Sequence, residues 1–482
     1  MNRITTFIAL TFLLIACQSN TKNESTMEQT ATQVGLPPIN DTILESAIIY
    51  EANIRQYSNE GTFKAFTKDI PQLKQLGVSI IWLMPVYPIS SKNRKAYGNL
   101  MAHDIEDPKE REKFLGSYYA IANYTGINPE FGTLEDFREL VQTAHDNEMY
   151  VILDWVANHT GWDHHWIEEH PEFYTKNEQG EISEPLKDDG RTPEGWTDVA
   201  DLDFNNQELR KAMIEQMMYW LQQEGVDGFR CDVASFVPVD FWQQAIPKLR
   251  AEKPIFMLAE SDDPALLAPG LFDAAYGWAS HHLVNDIAGY KNNAASYNWH
   301  ITEQFKKYGD RGVLMNFVEN HDENSWNGTF FSRAGNNWEA MLALSYSVPG
   351  MPLIYSGLEY DLNHSLKFFE KDSIPKEKGM VWPVLEKLST LKRNLPALHG
   401  SKDAASFEFI ETNQPETVIA FKRFKDTSEL VYLANFSDHV VHVNVQQTGV
   451  YSNAMTQTPV QLNPDTTVEL AAGGYLVLVK SN

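Results

Sequence analysis

Residues 228 to 235 read GFRCDVAS, an apolar run that carries an arginine and an aspartate one residue apart. Side chains of a β-strand alternate between faces, so Arg230 and Asp232 point one way while Phe229, Cys231 and Val233 point the other. The charged pair therefore faces one cavity. Taken alone, such a pair reads as a structural ion pair. A catalytic reading has the guanidinium hold the carboxylate ionised, because a nearby positive charge lowers a carboxylate's pKa. The rest of the chain decides between the two.

Outward from this stretch, short apolar runs alternate with amphipathic ones from residue 47 onward, the mark of repeated βα units over a parallel sheet. Candidate strands are 47–54, 79–86, 150–158, 228–234, 255–260, 274–279, 313–320 and 351–357. Between them FKAFTKDIPQLKQLG, TLEDFRELVQTAHDNE, QELRKAMIEQMMYWLQQEG and NWEAMLALSYS place apolar residues at helical spacing. Eight strands with intervening helices predict a (β/α)8 TIM barrel spanning 41–399. A doubly wound open sheet is the rival, but the Gly-rich dinucleotide fingerprint that it often carries is absent. Two connections are long, 87–132 and 159–205, and the second reads as a small inserted domain. After about residue 400, SFEFIE, TVIAFKRF, ELVYLANF, VVHVNV, TTVEL and GYLVLVK predict a C-terminal antiparallel β-sandwich over 400–482.

The chain has 482 residues and a formal net charge of −26, which disfavours nucleic acid and anionic membrane surfaces and suits a neutral substrate. Residues 1–16 read as a signal peptide: Arg3, then thirteen apolar-rich residues from Ile4 to Ala16, too short to span a bilayer. LIAC at its end resembles the lipobox of bacterial lipoproteins. That implies a lipid on Cys17, a flexible tether over 17–40, and export across the inner membrane to a lipid-anchored place in the cell envelope. With Cys17 acylated, Cys231 is left alone, so no intramolecular disulfide is expected, and Cys231 points away from the charged pair.

Barrel enzymes keep their chemistry at the C-terminal ends of the strands. There the sequence supplies Asp154, Asn158 and His159 in DWVANH, Arg230 and Asp232, then Glu260, then His321 and Asp322 in NHD. Any one of these can be a satisfied structural group; all of them at one rim point to chemistry. Carboxylates with an arginine and histidines suit glycoside hydrolysis, in which one carboxylate attacks the anomeric carbon and another protonates the departing oxygen. Metal-dependent hydrolysis is the competitor, but HxH and HExxH spacings are missing.

In that order and at those strand ends, DWVANH, GFRCDVAS, LAE and VENHD resemble the four signature regions of the α-amylase family, glycoside hydrolase family 13. YYAIANYTGINPEFGT, ADLDFN and GMPLIYSGLE add to the likeness, which runs from about residue 45 to the C-terminus. The resemblance implies Asp232 as nucleophile, Glu260 as general acid and base, and Asp322 as the stabiliser of the distorted sugar. It also implies that Arg230 holds Asp232 ionised, that His159 and His321 bond sugar hydroxyls, and that Tyr119 stacks on the ring. Asp154 matches a position that organises the site.

The implied substrate is an α-glucan or maltooligosaccharide, cleaved with retention at α-1,4 bonds. Neopullulanase, cyclomaltodextrinase or α-glucosidase specificity, including α-1,6, stays open, as do transglycosylation and a non-catalytic glycan-binding barrel. The calcium that many family members hold is disfavoured: Asn158 and Asp201 match, but Phe236 stands where a histidine is common. No other cofactor is implied, and the oligomeric state is not fixed. Trp162, Trp166, Trp196, Trp278 and Trp326 are candidate sugar platforms, the first three preferred for their place in the long third loop, Trp155 is a core residue, and the charged stretch 90–114 is an expected wall at one end of the cleft.

Overall fold

The computed structural model describes residues 36–481 except 99, 188 and 310–312. The signal peptide, Cys17 and nearly all of the tether thus lie outside the described residues. Among the described residues no helix is long and apolar enough to cross a membrane.

All eight candidate strands form, and they close a parallel barrel. They are β1 (Ile49–Ala52), β2 (Ile80–Leu83), β3 (Tyr150–Trp155), β4 (Gly228–Cys231), β5 (Phe256–Ala259), β6 (Ala274–Tyr276), β7 (Leu314–Asn316) and β8 (Met351–Tyr355). Their order around the barrel is β1-β8-β7-β6-β5-β4-β3-β2. The seam pairs Ile49 to Glu51 with Leu353 to Tyr355. Alternation then sorts the side chains. Ile49, Ile80, Trp82, Ile152, Phe256, Leu258 and Leu353 fill the inside, while Tyr50, Ile81, Val151, Phe229, Met257 and Ile354 pack outward under the helices. Inward parity also falls on Glu51, Asp154 and Arg230, two residues further along their strands. Gly228 makes β4 fit: its φ is +147°, and a Cβ there would stand 1.9 Å from the Phe256 carbonyl oxygen.

The helix at Leu134–Asp146 starts at a capping box in which the Thr133 and Asp136 side chains serve each other's backbone N–H groups. That at Gln207–Gln222 starts at Asn206. The helix expected over 63–77 is instead two short ones, Phe63–Thr67 and Ile70–Leu73. Pro71 explains the break, because a residue without an N–H is tolerated in a first turn and not inside a helix. The connection after β3 includes a short antiparallel pair, His159–Gly161 with Val199–Asp201.

The C-terminal region is a six-stranded antiparallel sheet faced by a two-stranded ribbon. Its strands are β9 (Ser406–Phe409), β10 (Val418–Lys425), β11 (Ser428–Asn435), β12 (Val441–Asn444), β13 (Gly449–Asn453), β14 (Pro459–Leu462), β15 (Thr467–Leu470) and β16 (Tyr475–Lys480). The sheet runs β9-β10-β11-β16-β13-β14, and β12 pairs with β15. One face of the sheet packs on the ribbon through Val431, Leu433, Val443 and Leu478; the other, with Phe421 and Tyr432, joins the core around the barrel. β13 and β14 were not foreseen: GVYSN and PVQL are short, half polar, and in the second case begin with proline.

Candidate active site

Arg230 sits inside the barrel with no solvent exposure. Its Nη1 donates to Asp154 Oδ1 at 2.7 Å and to Asp232 Oδ1 at 2.8 Å, and Nε donates to the Tyr276 hydroxyl at 3.1 Å. Nη2 lies 2.8 Å from Glu260 Oε2, a charge contact without hydrogen-bond alignment. The ring of Trp82 lies 4.9 Å from the guanidinium carbon. One cation is thus shared by three carboxylates, where the sequence predicted a partner for Asp232 alone.

That sharing sets the proton affinities. Burial raises the Asp232 carboxyl to about 6 against the pull of Arg230, with the Asp154 charge adding to the rise. Burial likewise raises Glu260 to about 7, and the charges of Asp232 and Asp322 add to the rise against Arg230. Both groups are raised by burial, and because they share one cation their protons come off as a coupled pair.

Asp232 lies just past the end of β4, and the chain turns hard there. Val233 has φ +34°, a conformation that costs a β-branched residue on the order of 1–3 kcal/mol. The turn aims the Val233 N–H at Glu260 Oε2, 2.8 Å away. It is a second tie between the strand that carries Asp232 and the one that carries Glu260.

A second network enters from β1. Glu51, wholly buried, accepts a hydrogen bond through Oε1 from His321 Nδ1. On the other side of the ring, His321 Nε2 is 2.7 Å from the Tyr119 hydroxyl and 3.3 Å from Asp322 Oδ2. Burial lowers the His321 pKa, but the Asp322 and Glu51 charges outweigh it and lift it to about 9. The ring is therefore an imidazolium whose two N–H groups both donate. The Tyr119 hydroxyl passes the bond on to Asp154 Oδ2 at 3.2 Å, which also takes the Trp82 indole N–H at 3.2 Å. A continuous chain of contacts runs from Glu51 through His321, Tyr119, Asp154 and Arg230 to Asp232. Glu51 was missed by sequence reasoning; its only signal was a charge at inward parity in IYEA.

A cleft of about 430 Å³ opens above these groups. It brings together Tyr119, His159, Asp232, Glu260, His321 and Asp322, with Arg230 beneath them. His159 is held neutral by burial, which takes its pKa down to about 3. Of the tryptophans, Trp196 lines the cleft, 5.9 Å from the ring of Phe236 and nearly parallel to it, and Trp326 lines it on another side. The expectation for Trp166 is corrected: it is buried against Tyr124 and Phe173 and faces no cleft. Trp162 borders a separate pocket in the insert. Trp155 is core, as its strand position requires, and Cys231 is a buried free thiol on the outward face.

At the calcium positions, the Asn158 carbonyl accepts from the Leu202 N–H at the base of the insert, and the Asp201 carbonyl accepts from the Thr175 N–H within it. Among the described residues no group of three or more His, Cys, Asp or Glu is arranged to hold a metal ion.

An arginine-held aspartate and a raised-pKa glutamate at the top of a closed parallel barrel define a carboxylate-pair glycosidase centre. Comparison with known proteins agrees. A family model for the α-amylase catalytic domain matches residues 40–264. The crystal structure of an α-amylase from Lactobacillus plantarum is 30% identical, covers 91% of this chain and 100% of its own, and superposes with TM-score 0.76. The chain belongs to the α-amylase family, glycoside hydrolase family 13. Among curated relatives, α-amylase MalA of Haloarcula japonica is 23% identical over 83% of this chain, and the chain spans 57% of that protein. An α-1,4-glucan:maltose-1-phosphate maltosyltransferase of Rhodospirillum rubrum is 34% identical over 44% of this chain, which spans 31% of its length.

Proposed function

We propose that this protein is a retaining α-glucan hydrolase acting on α-1,4 bonds of starch-type glucans or maltooligosaccharides. The observation that carries the reading is the placement of Asp232 and Glu260 on neighbouring nitrogens of one buried guanidinium. The ionised Asp232 attacks the anomeric carbon as Glu260 gives its proton to the departing glycosidic oxygen, so the bond to the leaving sugar breaks as the glycosyl ester forms. Glu260, now a carboxylate, takes a proton from water; the hydroxide oxygen displaces Asp232 and restores the α configuration. Asp322, held beside the His321 imidazolium, stabilises positive charge on the ring in flight, while Tyr119 and His159 seat the sugar.

The reading is tested by proton NMR of residues 18–482 with maltoheptaose, with pullulan and cyclodextrin in parallel, following the anomer released before mutarotation. Fresh α-anomer is the expected result. Fresh β-anomer breaks the assignment of Asp232 and Glu260, and longer oligosaccharides in the same spectra mark transfer to sugar in place of water. As part of the same proposal, supported by the LIAC sequence, the protein is anchored to the cell envelope by a lipid on Cys17. Cys17→Ser would then move it from the membrane to the soluble fraction.

A further inference from the structure

The loop after β2 runs along the side of the barrel mouth formed by β8, β1, β2 and β3 and is tied down at both ends. One limb, 89–98, is held by the insert that follows β3. The Ser91 N–H and hydroxyl both donate to Asp163 Oδ2 at 2.8 Å. The Lys95 ammonium donates to the Gly195 carbonyl at 3.4 Å and stands 3.6 Å from the buried Asp198 carboxylate. The other limb, 100–116, is held by the loop that follows β8. Leu115 N–H donates to the Phe369 carbonyl at 2.7 Å, and Phe114 pairs with Glu370. Arg55 Nη1 donates to the carbonyls of Gly116 and Phe368 at 2.9 and 3.3 Å. The limbs pair with each other at Lys95 and Met101, and Ala96, Ala102, Phe114 and Phe369 pack into a small apolar cluster beneath them.

This strap has a defined side of the cleft. In the closed order, β5 with Glu260 stands four strands from β1 in either direction, so the strap, which joins the β2 and β8 loops over β1, lies opposite the acid. A general acid stands where the leaving group departs. For a glycosidic bond seated with its departing oxygen at Glu260, the glycon would lie between Glu260 and the strap, with its non-reducing end toward the strap. Lys95, Ser117, Phe368 and Phe369 form the cleft wall there. The cleft volume of about 430 Å³ is near the lower end of the range of about 300–1,000 Å³ for ligand pockets.

We propose that this strap blocks extension of the glycon, so that the enzyme works from the non-reducing end of the chain and releases short fragments. The inference rests on the α-glucan hydrolase reading and adds the direction and length of attack. The test compares 4-nitrophenyl maltoheptaoside with the same substrate blocked by a 4,6-benzylidene group on its non-reducing sugar. The chromophoric products are separated by chromatography and quantified in each case, with no coupling glucosidase, which would digest the unblocked substrate from its free end. The wild-type enzyme is expected to cut the blocked substrate at least one hundred times more slowly. In Lys95→Ala/Asp163→Ala, which removes the side chains of both ties to the insert, that ratio should rise at least tenfold toward one. Comparable wild-type rates on the two substrates overturn the strap's role and leave the hydrolase reading intact. Cleavage of neither, nor of any α-glucan, overturns the hydrolase reading and this inference with it. The wild-type ratio decides the matter even where the double variant fails to fold.

Discussion

Two layers of the barrel interior differ by only two residues along the same strands. Ile49 is followed by Glu51 on β1, Ile152 by Asp154 on β3, and Gly228 by Arg230 on β4. The lower layer is apolar and closes the barrel; the upper one holds three carboxylates on one arginine, and a fourth, Glu51, on an imidazolium. Inward parity is thus a slot that either packing or chemistry can occupy. What separates the outcomes is whether every charge in the slot finds a partner.

The comparison breaks first at the reacting groups. Asp232→Asn and Glu260→Gln should each lower kcat about 10³- to 10⁵-fold, on the order of 4 to 7 kcal/mol in the barrier, and Glu260→Gln should still bind oligosaccharide in calorimetry. Retained turnover in either variant would sink the assignment. Arg230→Met should follow with a stability loss of about 3–5 kcal/mol, read from denaturant melts, because it strands three carboxylates in the barrel. In the lower layer, Ile152→Ala should cost about 2–5 kcal/mol by leaving a cavity, and should leave the pH profile where it was. A shifted profile in that variant would erase the distinction between the layers.

Smaller effects sharpen the contrast. Glu51→Gln keeps the hydrogen-bond shape and removes a charge, so the His321 pKa should fall from about 9 toward its ordinary value. Asp322, Arg230 and the Tyr119 hydroxyl still face the ring. Ring-nitrogen NMR reads the fall directly, with kcat expected to drop about 10- to 100-fold; an unchanged titration would make Glu51 merely structural. Finally, kcat/KM should follow a bell in pH whose limbs belong to the coupled Asp232 and Glu260 pair and lie above the usual carboxylate range, because burial raises both groups. The same shift carries a sign for stability. A carboxyl raised on folding holds its proton in the native state after the unfolded chain has released it, so it costs stability as pH rises from its ordinary value through about 7. Above that range Glu260→Gln should melt higher than the wild type.

Sequence reasoning reached what periodicity and parity encode. The eight strands, the inward pair Arg230 and Asp232, the outward Cys231 and the rim residues from His159 to Asp322 all follow from where a side chain must point. Properties that depend on a partner far along the chain were not legible. Glu51 acquires its role from His321, 270 residues away, and Trp166 is buried in part by Tyr124, which the loop after β2 supplies. The φ of Val233 is also silent in sequence, since valine is a poor candidate for such a turn, and its N–H is spent on Glu260 from the next strand. In the C-terminal sheet, β13 and β14 gain their stability from β16 and from each other, not from local propensity.

The seam between β1 and β8 has a consequence for the life of the chain. Its two sides are some 300 residues apart, and His321, which Glu51 serves, is made long after Asp232 and Glu260. A polypeptide still being synthesised, or cut short near residue 300, holds nucleophile, acid and arginine with no closed wall around them. It lacks β7, β8 and His321, so it can neither close the barrel around them nor supply the partner of Glu51. On the proposed reading, the full set of reacting groups is therefore enclosed only once the last strands of the barrel have been made and have closed on β1.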